Sequence, residues 1–289
     1  MVQRPGRMTA GLIALACLLL WADPAGAKLT TATSNGNWNV SLIWNNGDPV
    51  AGDDVAVSNG VTVTLSNSTP YLVSFTNRGT LVFTNWDTIL YATNVTLATG
   101  TVKHALCATS GQTPTTSNRV YVVCSNLTVL PGALINVDEL GYTPGGPGTP
   151  AAGSRAGGSF GGTGGRGGSG TYGLSASPME PGSSGQGQSA PFTGTGYGGG
   201  CVRIEALGRV TVDGAITANG RNPNGGDQGG GSGGGIYITC DTFAGTGLVR
   251  AHGASVQNDG SLGSDPGAGC GRRCTGSSAG TGGRTRASR

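Results

Sequence analysis

The chain has 289 residues, of which 57 are Gly, only 11% are charged and 6% aromatic. So much Gly excludes a coiled coil or helical bundle, since each one costs about 1 kcal/mol relative to Ala inside a helix, and the lack of a three-residue Gly period excludes collagen. The formal charge of +3 arises at the two ends, while residues 28–269 hold 10 basic and 13 acidic side chains, a net of −3, with no basic patch interleaved with aromatics, which excludes a nucleic-acid footprint.

Arg4 and Arg7 precede an apolar run from Gly11 to Trp21, and Ala25-Gly26-Ala27 puts small residues at −3 and −1. This pattern predicts a signal peptide over 1–27, cleaved after Ala27, and a secreted, extracellular or cell-surface protein. A lipid anchor at Cys17 is the alternative, set against by the bulky Leu15. The run is too short to cross a bilayer, which takes roughly 20 residues, and no later segment comes near that length.

Trp38, Trp44 and Trp86 follow within the first sixty mature residues. Trp38 and Trp44 are read as closing the open end of a core, with stacking on sugar rings as the alternative. Asp48, Asp53 and Asp54 are read as turn formers that bond their own backbone; a calcium site is the other option.

From Asp54 onward, short β-branched strands recur, most followed by Gly and a second short strand. The pairs are Val55-Ala56-Val57 with Gly60-Val61-Thr62-Val63, Val73-Ser74-Phe75 with Gly79-Thr80-Leu81, and Val95-Thr96-Leu97 with Gly100-Thr101-Val102. Leu127-Thr128-Val129 with Gly132-Ala133-Leu134 and Val210-Thr211-Val212 with Gly214-Ala215-Ile216 continue the series, and Phe243 with Gly247-Leu248-Val249 is a weaker member. The glycines lie 19, 21, 32, 82 and 33 residues apart. Alternation of apolar residues gives strands with one inward face, and a repeat of about 20 residues that lengthens by Gly-rich insertion suits a solenoid. The expected fold is therefore all-β, a single-stranded right-handed parallel β-helix with long Gly-rich loops. Val63, Leu81, Val102 and Leu134 are expected in one core. The Asn-Gly pairs, among them Asn59-Gly60 and Asn219-Gly220, keep an antiparallel β-sandwich open as the alternative.

The expected organisation is a signal peptide at 1–27, N-terminal coils at 28–140, a Gly-rich loop or linker at 141–200, further coils at 201–263 and a basic tail at 264–289. The 141–200 stretch holds 23 Gly, 6 Pro and 3 charges, and is expected to be a solvent-exposed excursion, because its burial would not offset an ordering cost of roughly 1–2 kcal/mol per residue. Near Gly267-Ala268-Gly269 another strand is due, yet the chain continues Cys270-Gly271-Arg272-Arg273-Cys274 with no Val, Ile, Leu or aromatic to Arg289. That tail is read as aberrant or out of frame, with a basic, anion-binding tail as the rival.

Trp44-Asn45-Asn46-Gly47-Asp48-Pro49 with Ala51-Gly52-Asp53-Asp54-Val55 and Val61-Thr62-Val63 resembles the opening coil of Gly-rich, parallel β-helix bacterial surface proteins of the adhesin and autotransporter-passenger kind. Gly198-Gly199-Gly200-Cys201-Val202-Arg203-Ile204, Val210 to Gly220 and Gly231 to Ile238 resemble repeats of the same group. The resemblance spans residues 38–65 and 196–253, implies the fold, and carries no active site.

Four of the six cysteines after the leader are disulfide candidates, Cys107 with Cys124 and Cys201 with Cys240, since each pair lies about one repeat apart; a reading as small buried hydrophobes stands beside it. His104 and His252 lack a second His at ligand spacing, so no zinc site, and no other cofactor, is expected. Gly194-Thr195-Gly196-Tyr197-Gly198 lacks the flanking strand, helix and Lys of a phosphate loop, and Asn224-Gly225-Gly226-Asp227 misses the calcium nonapeptide spacing. Asp138 with Glu139, and Asp213 with Arg203 and Arg209, are the groups available to a polysaccharide lyase or hydrolase. Adjacent strand residues point to opposite faces, so the leading expectation is a non-enzymatic, adhesin-like surface protein. Its expected partner is an extracellular polysaccharide or other cell-surface ligand.

Overall fold

The structure, a computed structural model, describes residues 27–110, 113–174, 176–187, 195–224, 228–254 and 272–277. The signal-peptide reading of 1–26, the Asp227 motif and the tail at 264–271 and 278–289 lie outside them. Among the described residues the chain is all-β, with one short 3-10 turn at Ser41–Ile43 and no α-helix.

Successive strands enter two sheets by turns. The chain forms β1 (Leu29–Ala32) and β2 (Gly36–Asn37), β3 (Asp54–Val57) and β4 (Thr62–Leu65), β5 (Leu72–Asn77) and β6 (Thr80–Phe83), then β7 (Leu90–Leu97) and β8 (Thr101–His104). A small antiparallel pair, β9 (Thr109–Ser110) and β10 (Thr113–Pro114), precedes β11 (Val120–Val129) and β12 (Leu134–Asn136). There follow β13 (Cys201–Ala206), β14 (Arg209–Val212) and β15 (Ala215–Thr217), then β16 (Gly235–Ala244), β17 (Leu248–Arg250) and β18 (Arg272–Ser277). One sheet runs β1-β3-β5-β7-β11-β13-β16, with β14 beside β11 and β16, and β18 beside β16. The other runs β2-β4-β6-β8-β12-β15-β17.

Every pairing in these two sheets is parallel. Parallel neighbours need a crossover, and here each crossover is the intervening strand of the opposite sheet. Asn59-Gly60 thus joins β3 to β4, which lie in different sheets and do not pair; no sandwich hairpin forms there.

The inward side chains stack in columns. Val55, Phe75, Val95, Leu127 and Val210 face one another across the first sheet, and Val63, Leu81, Val102, Ile135, Ile216 and Val249 across the second. All are buried. Leu134 departs from expectation: Ile135, not Leu134, pairs with Val102, and Leu134 is 36% exposed. The corner before β12 holds four residues, 130–133, against three before β8, 98–100. Ala133 therefore takes the place that Gly100 holds one pass earlier, and side-chain direction shifts by one.

The two corners of each pass differ. Connections from the first sheet to the second have two to four residues, such as 78–79, 98–100 and 213–214, whereas those returning have six residues or more, as at 66–71, 84–89, 105–119, 137–200 and 218–234. At Gly79, Gly100, Gly214 and Gly247 the tight corner needs glycine because successive passes nearly touch there, whereas Gly60 and Gly132 turn with positive φ, +75° and +86°, in open space. A Cβ on Gly79 would lie 2.2 Å from Val61 O, and one on Gly214 2.2 Å from Ala133 O.

At the N-terminal end, Thr33 N donates to Ile43 O and Asn45 N to Thr31 O, so residues 43–45 lie antiparallel along β1 and satisfy an edge that would otherwise template aggregation. Trp38 and Trp44 are buried there, edge to face at 4.9 Å, with the Trp44 indole N–H on Trp38 O. They close the core as expected.

The Gly-rich stretch is a solvent-exposed excursion only in part, as at 151–153, 166–167 and 170–171. Residues 156–160, 181–187, 195–196 and 198–200 are buried, without forming strands. Their backbones bond one another: Gly141 N to Gly198 O, Gly182 N to Gly199 O, Gly158 N to Gly230 O and Gly199 N to Ser232 O. Little side-chain burial is needed to offset the ordering cost here, because the packing is backbone on backbone. A Cβ on Gly198 would meet Gly182 O at 2.0 Å, and one on Gly231 would meet Tyr197 O at 1.8 Å.

A strand does occur after Gly269: β18 pairs with β16, with Arg272 opposite Ile236 and Cys274 opposite Ile238.

Candidate functional site

In β11, β13 and β16 the buried residues Val120 and Val122, Val202 and Ile204, and Ile236 and Ile238 alternate with residues facing outward. The register sets Tyr121, Arg203 and Tyr237 side by side, one strand apart, and Val123, Glu205 and Thr239 in the next outward row. Period-2 alternation on adjacent parallel strands thus makes a polar row over an apolar floor.

The 84–89 and 105–119 connections extend this row. Arg119 leads into β11, and its guanidinium carbon lies 4.4 Å from the Trp86 ring centre and 4.7 Å from that of Tyr121. Its Nε donates to Trp86 O at 2.7 Å, and it pairs with the exposed Asp87 at 3.7 Å. On the other side of Tyr121, the Arg203 guanidinium carbon is 4.4 Å from the ring centre. Arg203 Nε donates to Glu205 Oε1 at 2.7 Å, and Tyr121 Oη donates to Glu205 Oε2 at 3.1 Å. Tyr71 and Tyr91 stack at 4.5 Å, with Tyr71 68% exposed.

The electrostatics follow from this packing. Burial pushes the Arg119 pKa down, opposed by nearby Tyr121 and Asp87. Burial raises the Tyr121 phenol, aided by Glu205, and raises Tyr91, aided first by Tyr71. Arg119 is sealed, whereas the Arg203 and Glu205 side chains keep 25% and 34% of their surface in solvent. Tyr121 is buried as well, so the exposed part of the row offers one fixed guanidinium, Arg203, one carboxylate, Glu205, and the half-buried phenol of Tyr237. Vicinal hydroxyls suit such a donor–acceptor pair, and the apolar face of a sugar ring suits the phenol.

The other predicted groups lie elsewhere. Asp213 accepts from Thr246 N at 3.0 Å, and Arg209 donates to Thr211 Oγ1, while Arg203 is held by Glu205; each of the three is engaged separately. Asp138 Oδ1 accepts from Asn219 N and Nδ2 at 2.6 and 2.9 Å, and Glu139 pairs with Arg221 at 3.7 Å. Asp53 accepts from Val50 N and so holds its own turn, whereas Asp48 accepts from the Ser41 hydroxyl and Asp54 from the Ser74 hydroxyl on the neighbouring strand β5.

Neither expected disulfide, Cys107 with Cys124 or Cys201 with Cys240, is made. Cys124 lies opposite Ala206 in β11–β13 pairing, and Cys107 bridges to Tyr142 near the Gly-rich stretch; neighbouring strands, rather than sequence spacing, set who meets whom. Burial raises Cys107 and Cys124 to about 12. His104 points into the core, its Nε2 accepting from Cys201 N at 3.0 Å and its Nδ1 at 2.7 Å from Ala105 O.

Trp86, Arg119, Tyr121, Glu205 and Tyr237 were not singled out from the sequence as a site. The signal for three row members was present in Val120-Tyr121-Val122, Val202-Arg203-Ile204 and Ile236-Tyr237-Ile238, apolar-x-apolar triads whose middle residues share one face. Trp86 and Arg119 lie 33 residues apart and carry no such pattern. Compared with protein families, characterised proteins and solved structures, the chain matches none.

Proposed function

We propose that the chain is a single-stranded right-handed parallel β-helix that serves outside the cell as a non-enzymatic, adhesin-like surface protein. Its Tyr121–Arg203–Tyr237 row would hold an extracellular polysaccharide. The row is the observation that carries this reading: three side chains on the outer face of adjacent parallel strands, with the Tyr121 ring held between the Arg119 and Arg203 guanidinium groups. Right-handedness rests on the rule for parallel crossovers. A linear polymer suits a site repeated along the strand stack, because each strand step of about 4.8 Å offers another contact. Secretion is supported by the leader pattern ending at Ala27.

The test is binding of the purified protein to a panel of immobilised neutral and acidic polysaccharides, with product analysis of the same mixtures. The double change Arg203→Ala, Tyr237→Ala is expected to weaken binding about tenfold or more, with an unchanged melting temperature. Equal binding by wild type and variant overturns the site. Release of shortened or unsaturated oligosaccharides replaces the adhesin reading with a lyase or hydrolase.

A further inference from the structure

We infer that Asp53 is the receptor for a new α-ammonium group, created when a signal peptidase cuts between Ala27 and Lys28. The Asp53 residue is 3% exposed. Its Oδ2 accepts from Val50 N at 2.9 Å, and its Oδ1 faces Lys28 N at 3.4 Å. The Lys28 side-chain ammonium lies farther off, at 3.8 Å, and donates instead to Asn46 O and Asp48 O at 3.0 Å each. A buried carboxylate demands a close cation. An uncleaved Lys28 offers it a side-chain ammonium only at 3.8 Å, and at the nearer main-chain nitrogen only a neutral amide.

The rest of Lys28 is already seated. Its carbonyl accepts from Asp54 N at 3.0 Å, and Leu29 opens β1, whereas Ala27 is exposed. The change from the exposed Ala27 to the seated Lys28 therefore falls at the bond that the Ala25-Gly26-Ala27 pattern marks. Cleavage adds water across that bond. The hydroxyl goes to the Ala27 carbonyl carbon, which leaves as a carboxylate, and the Lys28 nitrogen takes a proton to become an amine. With an ordinary pKa of about 8, the amine takes a second proton from solvent at neutral pH. The resulting charge-assisted bond to Asp53 is stronger than the amide's, and it fastens the segment carrying Trp38 and Trp44 over the end of the core.

This inference rests on the secreted reading, and the test separates the two. The intact mass and N-terminal sequence of protein from the culture medium are measured first. Absence from the medium removes the secreted reading; presence with a first residue other than Lys28 overturns only this inference. Hydrogen exchange of Thr31 and Ala32 amides is then compared between the chain beginning at Lys28 and one extended by Ala27. The extended chain is expected to exchange about tenfold faster, and Asp53→Asn should erase the difference, as in a double-mutant cycle. Equal exchange of the two chains overturns the inference, and this comparison stands even where Asp53→Asn does not fold.

Discussion

His104 is a neutral imidazole at the end of the column Leu65–Phe83–His104, and burial lowers its pKa from 6.5 to about 4. The unfolded chain takes up a proton near pH 6.5, whereas the folded chain resists until about pH 4. Its contribution is thus complete above pH 6.5 and is lost as the pH falls through that window, by about 3 kcal/mol at most, at roughly 1.4 kcal/mol per unit. Urea unfolding at pH 7.5, 5.5 and 4.0 should show this loss in wild type and not in His104→Gln; parallel curves would assign the acid sensitivity to other groups. The thiols make a second residue-scale prediction. Cys107, Cys124 and Cys201 are buried and Cys240 is half-buried, and a buried, protonated thiol is inert. Alkylation of the native protein followed by peptide mass analysis should label Cys240 first among these four. Early labelling of Cys201 would contradict the packing around His104.

At the scale of elements, strands were legible in the sequence and their register was less so. Val95-Thr96-Leu97 and Gly100-Thr101-Val102 declare β7 and β8 by alternation alone. The fourth pair misled by one residue, because Pro131-Gly132 lengthens the corner and Ala133 does the work of a glycine. The register is testable directly. Ile135→Ala should cost about 2–5 kcal/mol through transfer and cavity terms, and Leu134→Ala well under half of that, read from denaturant midpoints. The reverse order would restore the sequence-based register. The Gly-rich stretch was illegible for a different reason: its order comes from carbonyls and amides, which every residue shares, so no side-chain pattern reports it. Gly198→Ala and Gly231→Ala place a methyl where a carbonyl oxygen stands 2.0 and 1.8 Å away. Each should destabilise the fold by more than about 1 kcal/mol, the typical effect of a substitution. The same change at Gly170, which has open space around it, should be near neutral.

At the scale of the whole chain, long-range order is built from nearest-neighbour steps, each pass pairing with the one before it. That arrangement was legible as a recurrent strand–glycine–strand phrase, but the candidate site was not, since its members come from three strands and two loops far apart in the chain. The unequal corners have a mechanical consequence. Height and girth are independent variables in this molecule. Height grows by one strand spacing, about 4.8 Å, per pass, and girth is set by whatever length the returning connection has. Lengthening a flexible connection is cheap, about 0.6 kcal/mol per doubling. Eight Gly/Ser residues placed at Gly170 should leave the melting temperature nearly unchanged, while a single residue between Arg78 and Gly79 should turn β6 over and prevent folding. Foreign loops can accordingly be spliced into the roomy side while the pitch of the Tyr121–Arg203–Tyr237 face stays fixed, as graduations on a ruler stay fixed whatever is hung from its back.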